Sequence, residues 1–211
     1  MEALAFYREL PLPVRLHTRL RAWTCPFARL VERLPREGRL LEVGCGHGLL
    51  ANQAALERPG LAVLGVDPAP DKIRWALATV GERLNIAFRC ERIGDIPEIG
   101  FDAIIVADVL YLVPRVDWLG FLGSCRTRLR PGGRLLLKEV DRTPRWKFYR
   151  CVLQEALSVR AFGLTLGDAL AFASSGELVG LLEQAGFQDI AVTPLDRGYM
   201  TPHVLYEARR G

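Results

Sequence analysis

Residues 40–51 read LLEVGCGHGLLA, and their reading decides the fold. An apolar run passes through Gly44, Gly46 and Gly48 on alternate positions and continues into a helix-like run. Glycine lets a strand-to-helix turn tighten and lets backbone N–H groups come close to a ligand. The dinucleotide fingerprint G-x-G-x-x-G asks for a further glycine at position 49, where the chain has Leu49. That weakens a nicotinamide reading. A purely structural tight turn is the other reading of the glycines.

Outward from this turn, strand and helix patterns alternate. RLLEVG (39–44) reads as a buried strand and LLANQAALE (49–57) as a helix. LAVLGVD (61–67) is a second buried strand. PDKIRWALATVGERL (70–84) predicts an amphipathic helix with Ile73, Leu77, Val80 and Leu84 on one face. NIAFRC (85–90) is a third strand, and FDAIIVAD (101–108) a fourth, continuously apolar as a central parallel strand should be. VDWLGFLGSCRTRLR (116–130) reads as a helix that stops at Pro131-Gly132-Gly133. RLLLKEV (134–140) is a fifth strand, and SGELVGLLEQAG (175–186) a helix ending at Gly186. FQDIAVTPL (187–195) and YMTPHVLYEARR (199–210) are close enough to form an antiparallel hairpin at the sheet edge. Such repetition implies a doubly wound α/β sheet, whose ligands bind beyond the carboxyl ends of the strands.

The 211 residues suit a single domain with a sizeable core. Residues 1–37 predict an arginine-rich helical cap, broken by Pro11, Pro13, Pro26 and Pro35. The long connection 141–174 predicts a lid-like insertion after the fifth strand. A formal charge of +4 does not by itself demand nucleic acid. The five cysteines are odd in number, widely spaced and without zinc-ligand spacing, so no metal site is expected and a cytoplasmic chain with reduced thiols is. No apolar stretch is long enough to span a bilayer. The N-terminal arginines interleave with Leu, Phe and Trp, so peripheral contact with an anionic membrane stays open; packing is favoured, because the prolines prevent one long interfacial helix.

Asp67 ends the second strand, where an acid can accept hydrogen bonds from both hydroxyls of a ribose. Capping the following helix is the other reading. Glycine loop and acid together point to an adenosine-containing ligand. Four stretches in order then carry a resemblance: LLEVGCGHGLLA, VLGVDPAPDKIRWA, FDAIIVADVLYLVP and LRPGGRLLLKE. With these, the chain resembles the class I S-adenosylmethionine-dependent methyltransferases over roughly residues 38 to 209. The resemblance implies a seven-stranded Rossmann-like sheet of order 3-2-1-4-5-7-6, with strand 7 antiparallel. It implies S-adenosylmethionine as cofactor and S-adenosylhomocysteine as product.

The resemblance also implies roles. Glu42 would steady the loop near the ligand's ammonium, and Gly44, Cys45, Gly46, His47 and Gly48 would pass under its methionine and ribose. Asp67 would hold the ribose, Pro68 would pack on the adenine, and Ala107 and Asp108 would meet the amino-acid end. Many relatives carry Gly-Asp-Ala after the third strand. One alignment places Glu91, Arg92 and Ile93 there; another chooses Gly94 and Asp95. An arginine cannot accept a hydrogen bond, so with Arg92 in that place backbone groups around Ile93 would read the adenine.

Methyl transfer mainly requires the acceptor to be aligned behind an electrophilic carbon in a water-poor pocket. A general base is needed only where the acceptor must lose a proton. His203, Tyr111 and Glu139 are candidates for it; His17 has no context that suggests chemistry. No Asn-Pro-Pro-Tyr follows the fourth strand, which weighs against amino-methylation of adenine or glutamine. The connection 138–174 mixes bases with aromatics. Tyr111, Lys138, Trp146 and Tyr149 are expected at the acceptor, with Lys138 suited to an acidic head group. The acceptor expected is a small, apolar or amphipathic molecule, such as a lipid, isoprenoid or polyketide-like metabolite. RNA is the alternative acceptor, a non-catalytic cofactor-binding module the alternative outside enzymes, and the oligomeric state stays open.

Overall fold

The computed structural model describes residues 1–141 and 173–211. Seven strands form one sheet: β1 (Glu37–Val43), β2 (Gly60–Val66), β3 (Ile86–Arg89), β4 (Phe101–Ala107), β5 (Leu129–Val140), β6 (Phe187–Pro194) and β7 (His203–Arg210). Their order is β3-β2-β1-β4-β5-β7-β6. The first five are parallel, while β7 runs antiparallel to both neighbours. This is the order, with strand 7 antiparallel, that the resemblance implies. The helices are α1 (Leu12–Thr24), α2 (Phe27–Arg33), α3 (Leu49–Glu57), α4 (Pro70–Leu77), α5 (Trp118–Arg128) and α6 (Ser175–Gln184), with a 3-10 turn at Glu2–Tyr7 before α1.

Alternation along each strand divides the core in two, because successive side chains of a strand point to opposite faces. Leu40, Val63, Ala103, Ile105, Leu136 and Leu205 join the cluster of the N-terminal helices, α3 and α4. Leu41, Ile104, Val106, Leu135, Leu137 and Tyr206 join that of α5 and α6. Each fully buried Leu or Ile contributes about 1.5–3 kcal/mol relative to an exposed one. α3 is buried from Leu49 to Ala55, which pins the glycine turn before it.

Two local readings differ from the structure. α4 ends at Leu77 rather than continuing to Leu84: Thr79 Oγ1 donates to the Ala76 carbonyl, Leu77 is half exposed and Leu84 fully so. β5 begins at Leu129, ahead of Pro131-Gly132-Gly133, because Leu129 already pairs with Phe101 and an irregularity lets the strand resume at Arg134 opposite Ala103. His203 lies inside the sheet, since β7 is flanked by β5 and β6 as the expected order places it. It pairs with Val140 and is 2% exposed.

Candidate functional site

The carboxyl ends of β1, β2, β4 and β5 lie side by side, so the turns that follow them converge. After β1, the N–H groups of Gly44 and Cys45 both donate to the Val66 carbonyl, at 2.8 and 3.0 Å. This folds the loop over the end of β2. Gly44 has φ +73, and a Cβ there would stand 2.3 Å from Val109 Cγ2, so only glycine fits. Gly46 differs: its φ of +56 also favours glycine, but a Cβ would meet nothing nearer than Lys72 Cδ at 4.0 Å. The loop is therefore open on that side. Gly48 caps α3 in the left-handed conformation.

Asp67 holds the two turns together. Its Oδ2 accepts from Gly46 N–H and its Oδ1 from Ala69 N–H, each at 2.9 Å. Both sequence readings of Asp67 thus meet here: it braces the entry of α4 and stands against the glycine loop. Pro68 follows it, exposed, and its carbonyl faces the Cys90 thiol at 3.7 Å. Glu42 is buried at the end of β1, and its Oε2 has no hydrogen-bond partner. Burial pushes its carboxyl up to about 8, against a lowering contribution from the Ala51 N–H. A buried carboxyl oxygen without a partner beside an open glycine turn is a donor-seeking site. An ammonium group satisfies it; so would hydroxyls brought to the loop edge where Asp67 stands. These residues fit S-adenosylmethionine.

The N-terminal segment lies against this loop. Tyr7 Oη donates to the His47 carbonyl (2.7 Å) and accepts from Asn52 Nδ2 (2.9 Å), which also donates to the Gly48 carbonyl (2.8 Å). The rings of His17 and His47 have centroids 5.0 Å apart. Burial lowers both imidazoles to about 4, with Lys72 adding to the effect on each. Sequence reasoning missed Tyr7, His17 and Asn52 at the site, because their contacts cross 30 to 45 residues and no local pattern announces them.

A buried ionic cluster stands after β4. Asp108 adopts φ +62, which directs it into the ends of the strands. It is ion-paired with Lys138 and with Arg21 Nη1 (2.9 Å), and the Cys25 thiol lies 3.7 Å from it. Burial opposes its ionisation, yet Lys138 and Arg21 outweigh burial and hold the carboxyl well below its usual range. Lys138 is 0% exposed, so its ammonium belongs to Asp108 and not, as expected from the sequence, to an acceptor's acidic head group. Ala107 is the buried last residue of β4.

Glu139, next to Lys138, accepts from the N–H groups of Val109 (3.2 Å) and Leu110 (2.8 Å). Burial, then the charge of Asp108, raises its carboxyl to about 8. Glu139 and Tyr111 line one small pocket with Leu110, Trp118, Val140 and Leu178. His203 is tied elsewhere: its Nε2 donates to the Thr24 carbonyl (2.8 Å), Nδ1 has no partner, and burial with Lys138 lowers the ring to about 3. Arg92 and Asp95 are both exposed at the ends of a 3-10 turn, with Ile93 buried between them. Trp146 and Tyr149 lie outside the described residues, as does nearly all of the connection expected as a lid.

A family model described as a methyltransferase domain matches residues 15–192. The ubiquinone biosynthesis O-methyltransferase of Cereibacter sphaeroides is 33% identical over 168 residues, 78% of this chain and 64% of that protein. The enzyme of the same name from Xanthomonas axonopodis pv. citri is 31% identical over 73% of this chain and 64% of its own length. The chain thus spans less than two thirds of the length of these relatives. In fold, human N-acetylserotonin methyltransferase in complex with S-adenosylmethionine superposes with a TM-score of 0.70 at 20% identity, over 98% of this chain and 58% of that one. The S-adenosylmethionine-dependent methyltransferase SibL gives 0.72 at 22% identity, over 99% and 61%. Motif order, strand order and family match agree: the chain belongs to the class I S-adenosylmethionine-dependent methyltransferases.

Proposed function

We propose that the protein transfers a methyl group from S-adenosylmethionine to an oxygen of a small, apolar or amphipathic acceptor of the lipid, isoprenoid or polyketide-like kind. The unpartnered, buried oxygen of Glu42 beside the open Gly46 turn carries the cofactor half of this reading. The O-methyltransferase relatives support the acceptor half.

When bound, S-adenosylmethionine supplies an electrophilic methyl group on a positively charged sulfur. Glu42 would hold the ammonium of its amino-acid end, as a carboxylate. Asp67 would take the ribose hydroxyls while keeping the Gly46 turn in place, and Pro68 with the Arg92–Asp95 turn would border the adenine. The Arg21–Asp108–Lys138 cluster acts as a rigid floor: the two cations hold Asp108 ionised, so Asp108 positions the turn after β4 and does not itself titrate near neutral pH. Residues 1–37 act as a cap, because Tyr7 and His17 hold the loop at His47.

A hydroxyl acceptor must lose a proton at or before attack. Among the three candidates Glu139 fits best, since a base poised near neutral pH is the effective one. Its carboxyl, raised to about 8, is close to that range, whereas His203 at about 3 is too weak a base and its Nε2 proton is engaged. Tyr111 shares the Glu139 pocket and would orient the acceptor.

Calorimetric titration with S-adenosylmethionine, S-adenosylhomocysteine and NADH, followed by turnover with methyl-labelled cofactor and prenylated phenols, tests the proposal. Binding of the first two with label appearing on a phenolic oxygen is the expected result. NADH binding alone would overturn the cofactor. Label reaching transfer RNA but no phenol would overturn the acceptor. Glu139→Gln should lower turnover at least about tenfold while leaving cofactor affinity unchanged.

A further inference from the structure

The outward face of α1 is apolar where a surface helix is ordinarily polar. Leu12, Leu16, Leu20 and Trp23 follow one another at helical spacing, and they are 59, 55, 46 and 78% exposed. The opposite face of the same helix faces the protein: Val14 and Thr18 are buried, and Arg21 reaches Asp108. The helix is therefore seated by one face and leaves the other without a partner among the described residues. Single exposed leucines are ordinary on protein surfaces; a continuous stripe ending in an exposed tryptophan marks an interaction surface.

Charge selects the partner. From Leu10 to Val31 the chain contains Arg15, Arg19, Arg21 and Arg29 and not one Asp or Glu. Arg15 and Arg19 fall beside the apolar stripe on the helical wheel, and Arg19 is exposed. Leucines and a tryptophan bordered by arginines, on a helix of 13 residues, match the boundary between anionic head groups and acyl chains. The helix is too short to span a bilayer, and no described helix is long and apolar enough to do so. The prolines do not prevent this, because the stripe needs only the three turns that α1 provides.

We propose that the outward face of α1 docks the protein on an anionic phospholipid surface. The docking stands on the stripe and the arginines alone. Its consequence rests on the proposed function: since Arg21 and His17 carry the inward face to the site, docking sets the site close to the layer in which an apolar acceptor dissolves.

Co-sedimentation of the full chain with vesicles tests this, using phosphatidylcholine alone and phosphatidylcholine mixed with phosphatidylglycerol. Binding to the mixed vesicles only is expected, with Leu16→Asp and Trp23→Asp each reducing it at least about tenfold. Arg19→Gln should reduce it about fivefold, the effect of one arginine near an anionic surface. These positions are exposed, so the variants should keep the wild-type melting temperature and S-adenosylmethionine affinity. Both readouts separate loss of docking from loss of fold, and neither needs an acceptor. Absence of binding to the mixed vesicles, or binding undiminished in the aspartate variants, would overturn the proposal. So would a wild-type dimer that the same variants convert to monomer without any vesicle binding, which would assign the stripe to a second copy of the chain.

Discussion

Asp67 and Glu42 are both buried carboxylates at strand ends, yet their surroundings give them different properties. Asp67 has a backbone N–H on each oxygen, from Gly46 and Ala69. Replacing it with alanine removes two charge-assisted hydrogen bonds, each worth about 1.5–3 kcal/mol where such bonds are buried. Asp67→Ala should therefore weaken S-adenosylmethionine binding at least about tenfold, whereas Asp71→Ala, at a solvent-exposed side chain, should leave it within about twofold. Equal effects in calorimetry would remove Asp67 from the cofactor site. Glu42 instead has an oxygen without a partner and a carboxyl raised to about 8 by burial. Below that pH the free protein holds it largely protonated, and pairing with an ammonium requires the proton to leave. Affinity should rise with pH toward 8, by up to about tenfold per unit, with proton release visible as a buffer-dependent binding enthalpy. Glu42→Gln should flatten that dependence. A wild type whose affinity does not vary between pH 6 and 8 would sink the assignment.

At the scale of elements, the glycine turn is held from the N-terminal side by the 3-10 turn at Glu2–Tyr7. Tyr7→Phe leaves the His47 carbonyl without its Tyr7 donor and Asn52 with one acceptor fewer, a loss of about 1–3 kcal/mol in folding stability. The cofactor should bind several-fold more weakly to this variant, while far-ultraviolet dichroism stays unchanged. Full retention of affinity, measured alongside the lowered denaturation midpoint, would show that the N-terminal segment does not act on the loop. What the sequence disclosed follows the same division between local and distant. The turn at Gly44–Gly48, the acid ending β2 and the apolar run of β4 are each written in a few consecutive residues, so they were legible. The seven-strand order came from the resemblance, because no strand names its neighbour. The early end of α4 was hidden: its apolar spacing continues to Leu84, but Thr79 closes the helix. The Arg21–Asp108–Lys138 cluster joins residues 87 and 30 positions apart, and in sequence its lysine was indistinguishable from a substrate-binding one.

Over the whole molecule, the same burial that builds the site sets how stability responds to pH. The chain has three histidines, and burial lowers all of them below the ordinary 6.5: His17 and His47 to about 4, His203 to about 3. Between pH 6.5 and 4 the unfolded chain binds protons that the folded chain refuses, so this contribution is full above 6.5 and is lost as pH falls. Glu42 and Glu139 act in the opposite sense. Both are raised from 4.5 to about 8, so their contribution is present below 4.5 and is lost as pH rises through 8. From 4.5 to 6.5 the two effects oppose each other, three imidazoles against two carboxyls, so stability should still rise with pH, but less steeply than the histidines alone would make it. From 6.5 to 8 only the carboxyls still change, and stability should fall. Urea denaturation across this range should show that decline in the wild type. Glu42→Gln with Glu139→Gln should reduce it by on the order of a kcal/mol or more, and His17→Gln should leave it in place. The decline should also shrink when S-adenosylmethionine is present, because an ammonium beside Glu42 favours its ionised form and lowers the pH at which the proton leaves. A decline of the same size in the double glutamine variant would mean that neither carboxyl carries the strain of burial. A decline removed by the glutamines but untouched by the cofactor would keep the strain and detach it from the binding site.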